Sequence, residues 1–411
     1  MDAEQRVALV TRNALELVDE EELRELLRTK ERPLAYIGFE PSGLVHIGWA
    51  LVISKIRDLC DAGFRVVILW ADWHAFINDK LGGDIENIRA CARYMEDCFV
   101  ALGVPRDSVE FVYATDVLDG IGYWEKLLRV GKVTSLSRIR RAMTIMGRKE
   151  GEADLDSSKV IYPLMQVTDI FQMGVDLAYA GIDQRRAHML ARDAADKLGW
   201  RKPIALHTPL VPGLKGGSRM NPEGVSHVEM PVGVEAQAEA MTEMKMSKSD
   251  PASSINIHDA PGDVAKKVKK AYCPPEREKE NENPVLMMAK YLIVPRFGGI
   301  DIERPERYGG NVSYGSYEAL AEAYFSGELS PVDLKAGVAA GINRMIAPVT
   351  EFFAARPENY ARMKGIFEGV KNLRRSPVRG VRRRNAGGRL AVLPAGSLWR
   401  GRPPSSSSCT C

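Results

Sequence analysis

A near-continuous apolar run, Phe64 to Ala71, constrains the fold of this chain more than any other segment. Runs without polar alternation are typical of strands that are covered on both faces, as in parallel sheets packed between helices. The run ends at Asp72-Trp73-His74, so polar groups follow directly at the carboxyl end of the predicted strand. Open α/β sheets bind ligands at that edge, which makes His74 a candidate site residue.

Strands and helices alternate through the first half of the chain. Further strands are predicted at Leu34 to Phe39, Val109 to Ala114, Asp176 to Ala180 and Ile204 to Leu210, with helical patterns at residues 85–102, 122–149, 161–173 and 188–198. This order predicts an α/β fold with a doubly wound parallel sheet, in a domain of residues 1–260 with a helical insertion around residues 85–150. Residues 213–243 are rich in Gly, Met, Pro and Glu, which indicates a flexible loop or insertion.

The C-terminal part of the chain has a different pattern. A basic helix is predicted at residues 264–272, and residues 284–372 show helical periodicity broken by prolines, so residues 261–373 are predicted to form a smaller all-helical domain. In residues 374–411 the periodicity ends and Arg, Gly, Pro and Ser dominate, which predicts a disordered tail.

The tail holds nine arginines and no acid, so with a net charge of +3 for the whole chain, residues 1–373 carry −6. Nucleic-acid contacts in that part must therefore come from local basic patches.

Several functional classes are disfavoured by composition. The chain has no apolar run of about 18 residues and no apolar signal core at its N-terminus, so we expect a cytoplasmic protein without a membrane segment. Its six cysteines show no paired zinc-ligand spacing, so no protein-only metal site is predicted.

A glycine-containing turn follows the strand at Leu34. Tyr36 to Trp49 reads Tyr-Ile-Gly-Phe-Glu-Pro-Ser-Gly-Leu-Val-His-Ile-Gly-Trp, a strand, a turn and the start of a helix. That geometry presents the N–H groups and the positive end of a helix to an anion. Gly43 and Gly48 would let a ligand approach the backbone, and His46 can donate a hydrogen bond to a phosphate oxygen. Alone, such a turn is more often an ordinary connection, because short glycine motifs match by chance.

A second motif lies about two hundred residues downstream. Met244 to Asp250 reads Met-Lys-Met-Ser-Lys-Ser-Asp and places Lys245 and Lys248 on one loop. By itself this is more often a solvated loop. Together, however, the two motifs resemble the paired signatures of class I aminoacyl-tRNA synthetases. The resemblance covers residues 1 to about 372 and is strongest to the tyrosyl-tRNA synthetases of archaea and eukaryotes.

The resemblance implies a ligase that activates L-tyrosine with ATP, releases pyrophosphate, and transfers tyrosine to the 3′ end of tRNA(Tyr). His46 and the helix N-terminus would contact the phosphates from one side, and Lys245 and Lys248 from the other. Such catalysis depends mainly on positioning and electrostatic stabilisation. The implied ATP-binding residues are Gly43, His46, Gly48, Lys245, Met246, Ser247, Lys248 and Ser249. Mg²⁺ would accompany ATP as co-substrate, and no tightly bound cofactor is expected.

Trp49 departs from the family pattern, in which a second histidine or another polar residue usually contacts the nucleotide. An indole is bulky and offers a single N–H donor. Either ATP binds in a slightly different position or this contact is dispensable.

Three residues of the predicted amino-acid pocket lie on one predicted helix. Tyr162, Gln166 and Asp169 have i, i+4 and i+7 spacing, which places them on one helical face. Such a stripe is ordinarily solvated, but the residues between them are largely apolar, and buried polar groups need partners. By resemblance, Asp169 accepts the substrate's phenolic O–H and Tyr36 donates to the same oxygen. The α-ammonium group would be held by Tyr162, Gln166 and Gln184, with Glu40 and His74 lining the site. Phenylalanine would leave the carboxylate unpaired, and a tyrosyl enzyme supplies the magnitude of roughly 10⁵-fold for its rejection.

Contacts to tRNA and to a second subunit rest on the same resemblance. Arg185 would lie near the first acceptor base pair, Tyr308 would stack on an anticodon base, and Asp333 would accept hydrogen bonds from a base. Solvated charges and a packed aromatic at a turn are the structural alternatives. The helices of residues 85–150 would form a homodimer interface, although apolar helix faces also suit a core.

Two other functions remain open at this point. The first is the tryptophanyl enzyme of the same fold, which lacks the Tyr-Ile-Gly-Phe-Glu-Pro-Ser-Gly opening. The second is a non-catalytic RNA-binding relative, which Trp49 and the arginine-rich tail keep open and which the Lys245 to Ser249 motif argues against. Amino-acid-dependent ATP–pyrophosphate exchange separates all three.

Overall fold

The predicted parallel sheet is present in the computed structural model, which describes residues 1–147, 156–216, 233–246 and 251–375. In chain order its strands are β1 (Glu16–Val18), β2 (Leu34–Phe39), β3 (Arg65–Trp70), β4 (Val109–Tyr113), β5 (Leu177–Gly181) and β6 (Ile204–Thr208). Their spatial order is β1-β6-β5-β2-β3-β4, with β2 to β6 parallel and β1 antiparallel at one edge. The sequence did not indicate β1, because three residues are too few to show a period.

Helices surround this sheet and follow its strands. They are α1 (Ala3–Thr11), α2 (Glu20–Thr29), α3 (Trp49–Asp61), α4 (Asp72–Ile77), α5 (Ile85–Ala101), α6 (Ala114–Val117), α7 (Ile121–Val133), α8 (Leu136–Ala142), α9 (Ser158–Gln172), α10 (Arg185–Leu198) and α11 (Val234–Met244). The long helix predicted for residues 122–149 is instead α7 and α8, followed by a 3₁₀ turn at Met143–Met146. Helix α11 lies within the segment predicted as a loop, and residues 217–232 of that segment are outside the described residues.

Strand β3 shows why the sheet is doubly wound. Val66, Ile68 and Trp70 belong to one hydrophobic cluster, which also holds the buried faces of α3 and α5. Val67 and Leu69 belong to a second cluster, with residues of α7, α9 and α10. Successive side chains of a strand point to opposite faces, so a strand that is apolar throughout must be covered twice. The structure confirms the fold class predicted from this run.

The C-terminal region is helical, as expected, and contains one short hairpin. It comprises α12 (Pro261–Lys269), α13 (Pro284–Met288), a π-helical segment Ala289–Ile293, α14 (Val294–Phe297), β7 (Ile300–Ile302), β8 (Val312–Tyr314), α15 (Tyr317–Phe325), α16 (Pro331–Ala355) and α17 (Glu358–Arg375). Residues 1–370 form one compact unit, and the first hydrophobic cluster continues into α16 through Ile342 and Val349. The domain boundary at residue 260 stays a prediction, and residues 376–411 lie outside the described residues.

In the part of the chain that the structure describes, none of the helices has the length and apolar character needed to cross a membrane.

Candidate active site

Asp169 is the centre of a buried polar cluster between α9 and the sheet. It is fully buried, and the Tyr123 hydroxyl donates to its Oδ1 at 2.8 Å. His74 Nε2 lies 3.1 Å from its other oxygen, Oδ2. Burial and then the charge of Asp169 raise the pKa of Tyr36 well above its ordinary value, which places Tyr36 in the field of the same carboxylate. The structure therefore brings Asp169 and His74 together, and Tyr36 is buried close enough to sense the same charge.

Tyr123 is one of the residues in this cluster that the sequence did not indicate. It is fully buried on α7, 46 positions before Asp169, inside a stretch that reads as a basic amphipathic helix. Its hydroxyl contacts the carboxylate only because α7 packs against α9. No local signal in the sequence distinguishes this tyrosine from an ordinary core aromatic.

The charge of Asp169 also affects the pKa of His74. Burial lowers the pKa of His74, but the negative charges of Asp169, Glu40 and Asp72 together outweigh it, and the pKa is raised above its ordinary value. A buried carboxylate needs hydrogen-bond donors or a compensating charge. The carboxylate oxygens of Asp169 can accept a phenolic O–H.

Gly38 on β2 lies next to the Tyr36 hydroxyl of this cluster. It is the exposed residue of β2, whose other residues are buried. A Cβ atom at this position would lie 2.6 Å from the Tyr36 hydroxyl oxygen, so a side chain here would displace that hydroxyl. Glycine in a strand often marks close approach by another group. Here it leaves a solvent-accessible opening beside Tyr36.

Glu40 organises a second set of polar groups at the end of β2. Its carboxylate accepts from the Tyr162 hydroxyl at 2.8 Å and from Asn78 Nδ2 at 3.0 Å and 3.2 Å. Lys80 Nζ lies 3.3 Å from Glu40 Oε2. The sequence indicated neither Asn78 nor Lys80. Glu40 was expected only to line the site, but in the structure its carboxylate bonds to three neighbouring side chains.

Gln166 and Gln184 contact each other by a side-chain hydrogen bond. Gln166 Nε2 donates to Gln184 Oε1 at 3.2 Å, and Gln184 Nε2 donates to the carbonyl of Ile145 at 3.1 Å. Gln166 Oε1 is buried and has no hydrogen-bond partner among the described residues. Buried acceptors are rarely left unsatisfied, so this oxygen is suited to a donor such as an ammonium group.

The glycine turn is held by backbone pairing with a distant segment. Ile47 N–H donates to the carbonyl of Ile255 at 2.8 Å, and Ile257 N–H donates to the carbonyl of Val45 at 3.2 Å. His46 therefore lies beside Asn256, with Gly48 as the residue that precedes α3. Gly43 has a φ of 131°, which side-chain-bearing residues rarely adopt.

Trp49 packs into an aromatic group between β2 and α5. Its ring centroid lies 5.0 Å from that of Phe39, 6.0 Å from that of Phe99 and 5.9 Å from that of His46. The bulky indole thus fills space against the core and borders the imidazole. This packing accounts for the size of the residue.

The lysine motif begins at the carboxyl edge of the sheet. Met246 N–H donates to the carbonyl of Val211 at 3.0 Å, which ties the motif to the chain after β6. Lys245 Nζ donates to Asp183 Oδ2 at 2.8 Å. The charge of Asp183 raises the pKa of Lys245 more than burial lowers it. Ser247, Lys248 and Ser249 lie outside the described residues.

The predicted tRNA contacts have local partners. Arg185 Nε donates to both oxygens of Glu16 at 2.9 Å, so its charge is already paired on β1. Asp333 Oδ2 accepts from Ser330 Oγ at 2.8 Å at the start of α16, an ordinary capping arrangement. Tyr308 is 60% exposed, beneath the Arg307 guanidinium at 4.9 Å from the ring centroid. Of these residues, the exposed Tyr308 is the most available for stacking.

Comparison with known proteins places this arrangement in a family. The sequence model for class I tRNA synthetases (W and Y) matches residues 28–222 and 233–347. A tyrosine–tRNA ligase from Saccharolobus islandicus is 44% identical over 359 residues, covering 87% of this chain and 96% of the relative. One from Aeropyrum pernix is 46% identical over 350 residues, covering 85% and 93%.

Solved structures agree with the sequence matches. The crystal structure of tyrosyl-tRNA synthetase from Aeropyrum pernix superimposes with a TM-score of 0.76 at 40% identity, covering 90% of this chain and all of that one. The enzyme from Archaeoglobus fulgidus complexed with L-tyrosine gives 0.74 at 40% identity, covering 85% and 99%. This chain belongs to the class I aminoacyl-tRNA synthetases, in the family of the tryptophan and tyrosine enzymes.

Proposed function

We propose that this protein is a tyrosine–tRNA ligase, which joins L-tyrosine to tRNA(Tyr) with ATP as co-substrate. The proposal rests mainly on the buried carboxylate of Asp169. It contacts His74 and Tyr123, and its charge acts on Tyr36. Relatives that bear the name tyrosine–tRNA ligase at 44% and 46% identity support it. A site built around a buried acceptor favours an amino acid that brings a hydroxyl donor.

In the first step, a carboxylate oxygen of tyrosine attacks the α-phosphorus of ATP. A new P–O bond forms as the bond to the leaving pyrophosphate breaks, and negative charge increases on the phosphoryl oxygens and on pyrophosphate. His46 and the start of α3 supply donors on one side, and Lys245 supplies a positive charge on the other. These groups stabilise charge without covalent chemistry. Mg²⁺ enters with ATP as part of the substrate.

Recognition of tyrosine is divided between two groups of side chains. Asp169 accepts the phenolic O–H and Tyr36 contacts the same oxygen. Glu40 and the free Gln166 Oε1 hold the α-ammonium at the other end, with Tyr162 and Gln184 positioning them. In the second step, the terminal ribose hydroxyl of tRNA attacks the tyrosyl carbonyl and AMP leaves.

An ATP–pyrophosphate exchange assay with tyrosine, phenylalanine and tryptophan tests this function. We expect exchange with tyrosine alone at micromolar to millimolar amino acid. Preference for tryptophan would identify the tryptophanyl enzyme. Retained tRNA binding without any exchange would identify a non-catalytic relative.

Binding of tRNA is assigned to the C-terminal helical region and to the end of the sheet. Tyr308 stacks on an anticodon base, with Asp333 nearby on α16 and Arg185 at the acceptor end. Tyr308→Ala should lower aminoacylation, by about tenfold or more in kcat/KM for tRNA, because stacking on a base contributes roughly 1–3 kcal/mol. Pyrophosphate exchange, which does not need tRNA, should be unchanged in the same variant.

A homodimer is the proposed assembly, in the cytoplasm, where charged tRNA is used. Helix α7 exposes Ile121, Trp124 and Leu128, which share one face at i, i+3 and i+7 and are 83%, 45% and 67% exposed. Contiguous exposed apolar groups of this kind mark interaction surfaces. Leu128→Asp should shift the mass measured by light scattering from a dimer to a monomer.

A further inference from the structure

A chain of contacts leads from the glycine turn to the last described helix. Val45 N–H donates to the Tyr94 hydroxyl oxygen at 3.4 Å, directly before His46. The Tyr94 hydroxyl lies 3.0 Å from His258 Nε2. His258 in turn stacks on Tyr360 of α17, with ring centroids 3.7 Å apart and planes inclined by 13°.

The direction of these hydrogen bonds depends on the charge state of His258 and on which of its ring nitrogens carries the proton. Burial, with a contribution from the charge of Lys364, lowers the pKa of His258 to about 4. The imidazole is therefore neutral at pH 7, and its Nε2 can accept the Tyr94 O–H. The Tyr94 oxygen then stays available to accept from Val45, so both hydrogen bonds can form at once.

His258 also follows the segment that returns from the lysine motif. Residues 255–257 pair with residues 45–47 by backbone hydrogen bonds, and His258 is the next residue along the chain. The lysine motif ends at Asp250, and four residues separate it from that segment. A displacement of His258 would therefore be transmitted both to the turn that carries His46 and to the return of the lysine motif.

Further contacts hold α16, α17 and α5 together around His258. Phe353 of α16 packs edge-on against the imidazole, with centroids 4.9 Å apart. Asn359, the residue before Tyr360, donates from Nδ2 to Asp97 Oδ2 at 2.7 Å, a second tie between α17 and α5. Tyr94 itself is fully buried on α5.

We propose that Tyr94 and His258 are positioning residues for adenylate formation, which couple the C-terminal helix α17 to the glycine turn that receives ATP. Neither residue touches the substrates. Tyr94 holds the backbone of Val45, and His258 fixes the Tyr94 hydroxyl against α17. Contacts made on the C-terminal helical region are thereby linked to the geometry of the ATP site. This inference rests on the ATP-dependent activation proposed above.

Steady-state pyrophosphate exchange on the full chain tests the proposal, with KM for ATP, KM for tyrosine and kcat measured for each variant. Tyr94→Phe removes the hydroxyl, and His258→Phe keeps a stacking ring but removes the acceptor. Each should lower kcat/KM for ATP by roughly five- to tenfold, the effect of one lost buried hydrogen bond. KM for tyrosine should stay within about twofold, because these bonds do not reach the amino-acid pocket.

His258→Gln is the rescue variant. Its side-chain oxygen can accept from Tyr94 in place of Nε2 but it lacks the ring that stacks on Tyr360, so its kcat/KM for ATP should be higher than that of His258→Phe and within about two- to fivefold of wild type, the loss expected for the ring contact alone. Tyr360→Leu tests the α17 end and should raise KM for ATP by about two- to fivefold through loss of the ring contact. The matched control is Tyr317→Phe on α15, which removes a hydroxyl that donates to Glu280 at 2.8 Å. It should leave all constants unchanged.

Three results would overturn the link. They are unchanged ATP constants in Tyr94→Phe, an equal rise in KM for tyrosine and ATP, and a His258→Gln variant as impaired as His258→Phe. Thermal unfolding identifies any variant that does not fold, and Tyr94→Phe, the smallest change, then decides the outcome. Absence of exchange by the wild-type enzyme would contradict the proposed function instead, so the two failures are distinguishable.

Discussion

The two ends of the proposed site are built by different means. At the amino-acid end, buried side chains from separate helices converge on Asp169, and their hydrogen bonds define a small number of donor and acceptor positions. At the nucleotide end, backbone pairing between residues 45–47 and 255–257 positions a half-buried histidine. Lys245, with 38% of its side chain exposed, is held there by one ion pair.

This difference reflects what each substrate requires. Tyrosine differs from phenylalanine by a single hydroxyl, so it must be distinguished by a buried polar group that cannot be satisfied by water. ATP carries several charges, which backbone N–H groups and lysines can stabilise at a partly solvated surface. Substitutions at the first end should alter selectivity, and substitutions at the second should alter rate.

The largest expected effect is on selectivity, from Asp169→Asn. The amide keeps the size of the side chain but removes the negative charge that accepts the phenolic O–H. The preference for tyrosine over phenylalanine in kcat/KM for exchange should fall from roughly 10⁵ to within about tenfold, the former value being one known for a tyrosyl enzyme.

Tyr123→Phe is the matched control for that substitution. It removes a neighbouring hydroxyl and leaves the carboxylate, so most of the preference for tyrosine should remain. Undiminished selectivity in Asp169→Asn would place phenol recognition elsewhere in the protein.

The next effect is on rate, from Lys245→Ala. Loss of one positive charge near the departing pyrophosphate should slow adenylate formation by about 10²- to 10³-fold, a magnitude found for single transition-state donors. Tyrosine binding, measured by equilibrium dialysis, should be unchanged. Lys266→Ala, which removes a lysine with a 76% exposed side chain on α12, should change neither quantity. Equal losses of rate and binding would contradict the division between the two ends.

A smaller effect is expected from Glu40→Gln. The amide can still contact Tyr162 and Asn78 but no longer carries the charge that would pair with the α-ammonium group. KM for tyrosine should rise by about tenfold, the equivalent of one charge-assisted hydrogen bond, with little change in selectivity against phenylalanine. A loss of selectivity would show that the two groups of side chains do not act separately.

The smallest effect is a pH dependence of stability from His74. Its pKa is raised by Asp169 in the folded protein, so ionised His74 contributes stability that is complete below the unfolded pKa near 6.5. That contribution is lost as the pH rises through the folded pKa. The difference in unfolding free energy between wild type and His74→Gln, measured in urea, should therefore shrink between pH 6 and pH 9.

His188→Gln provides the control for this titration. Burial, and then His207, lowers the pKa of His188 well below its ordinary value, so His188 stays neutral from pH 6 to pH 9. Protonation of His188 in the unfolded chain favours unfolding near pH 6, so wild type should gain stability relative to His188→Gln as the pH rises from 6 to about 7.5, the opposite direction to His74. A difference for His74→Gln that stays constant, or that grows with pH as for His188→Gln, would contradict the proposed ion pair.

Local patterns in the sequence were sufficient for the class of fold and for the candidate polar residues on α9. The apolar run at Phe64 to Ala71 predicted a strand covered on both faces, because burial on two sides requires apolar side chains at every position. Asp169 and Tyr162 were found because a polar stripe inside an apolar helix needs partners. These signals depend only on residue types and spacings within one element, so they can be recognised without the tertiary structure.

The partners themselves were decided by packing. Tyr123 reaches Asp169 because α7 lies against α9, Asp183 reaches Lys245 across 62 positions, and residues 255–257 pair with the glycine turn. Trp49, which departs from the family motif, fills an aromatic group whose members come from β2 and α5. A side chain's type limits what it can bond, but which distant group it meets depends on how the elements pack in three dimensions.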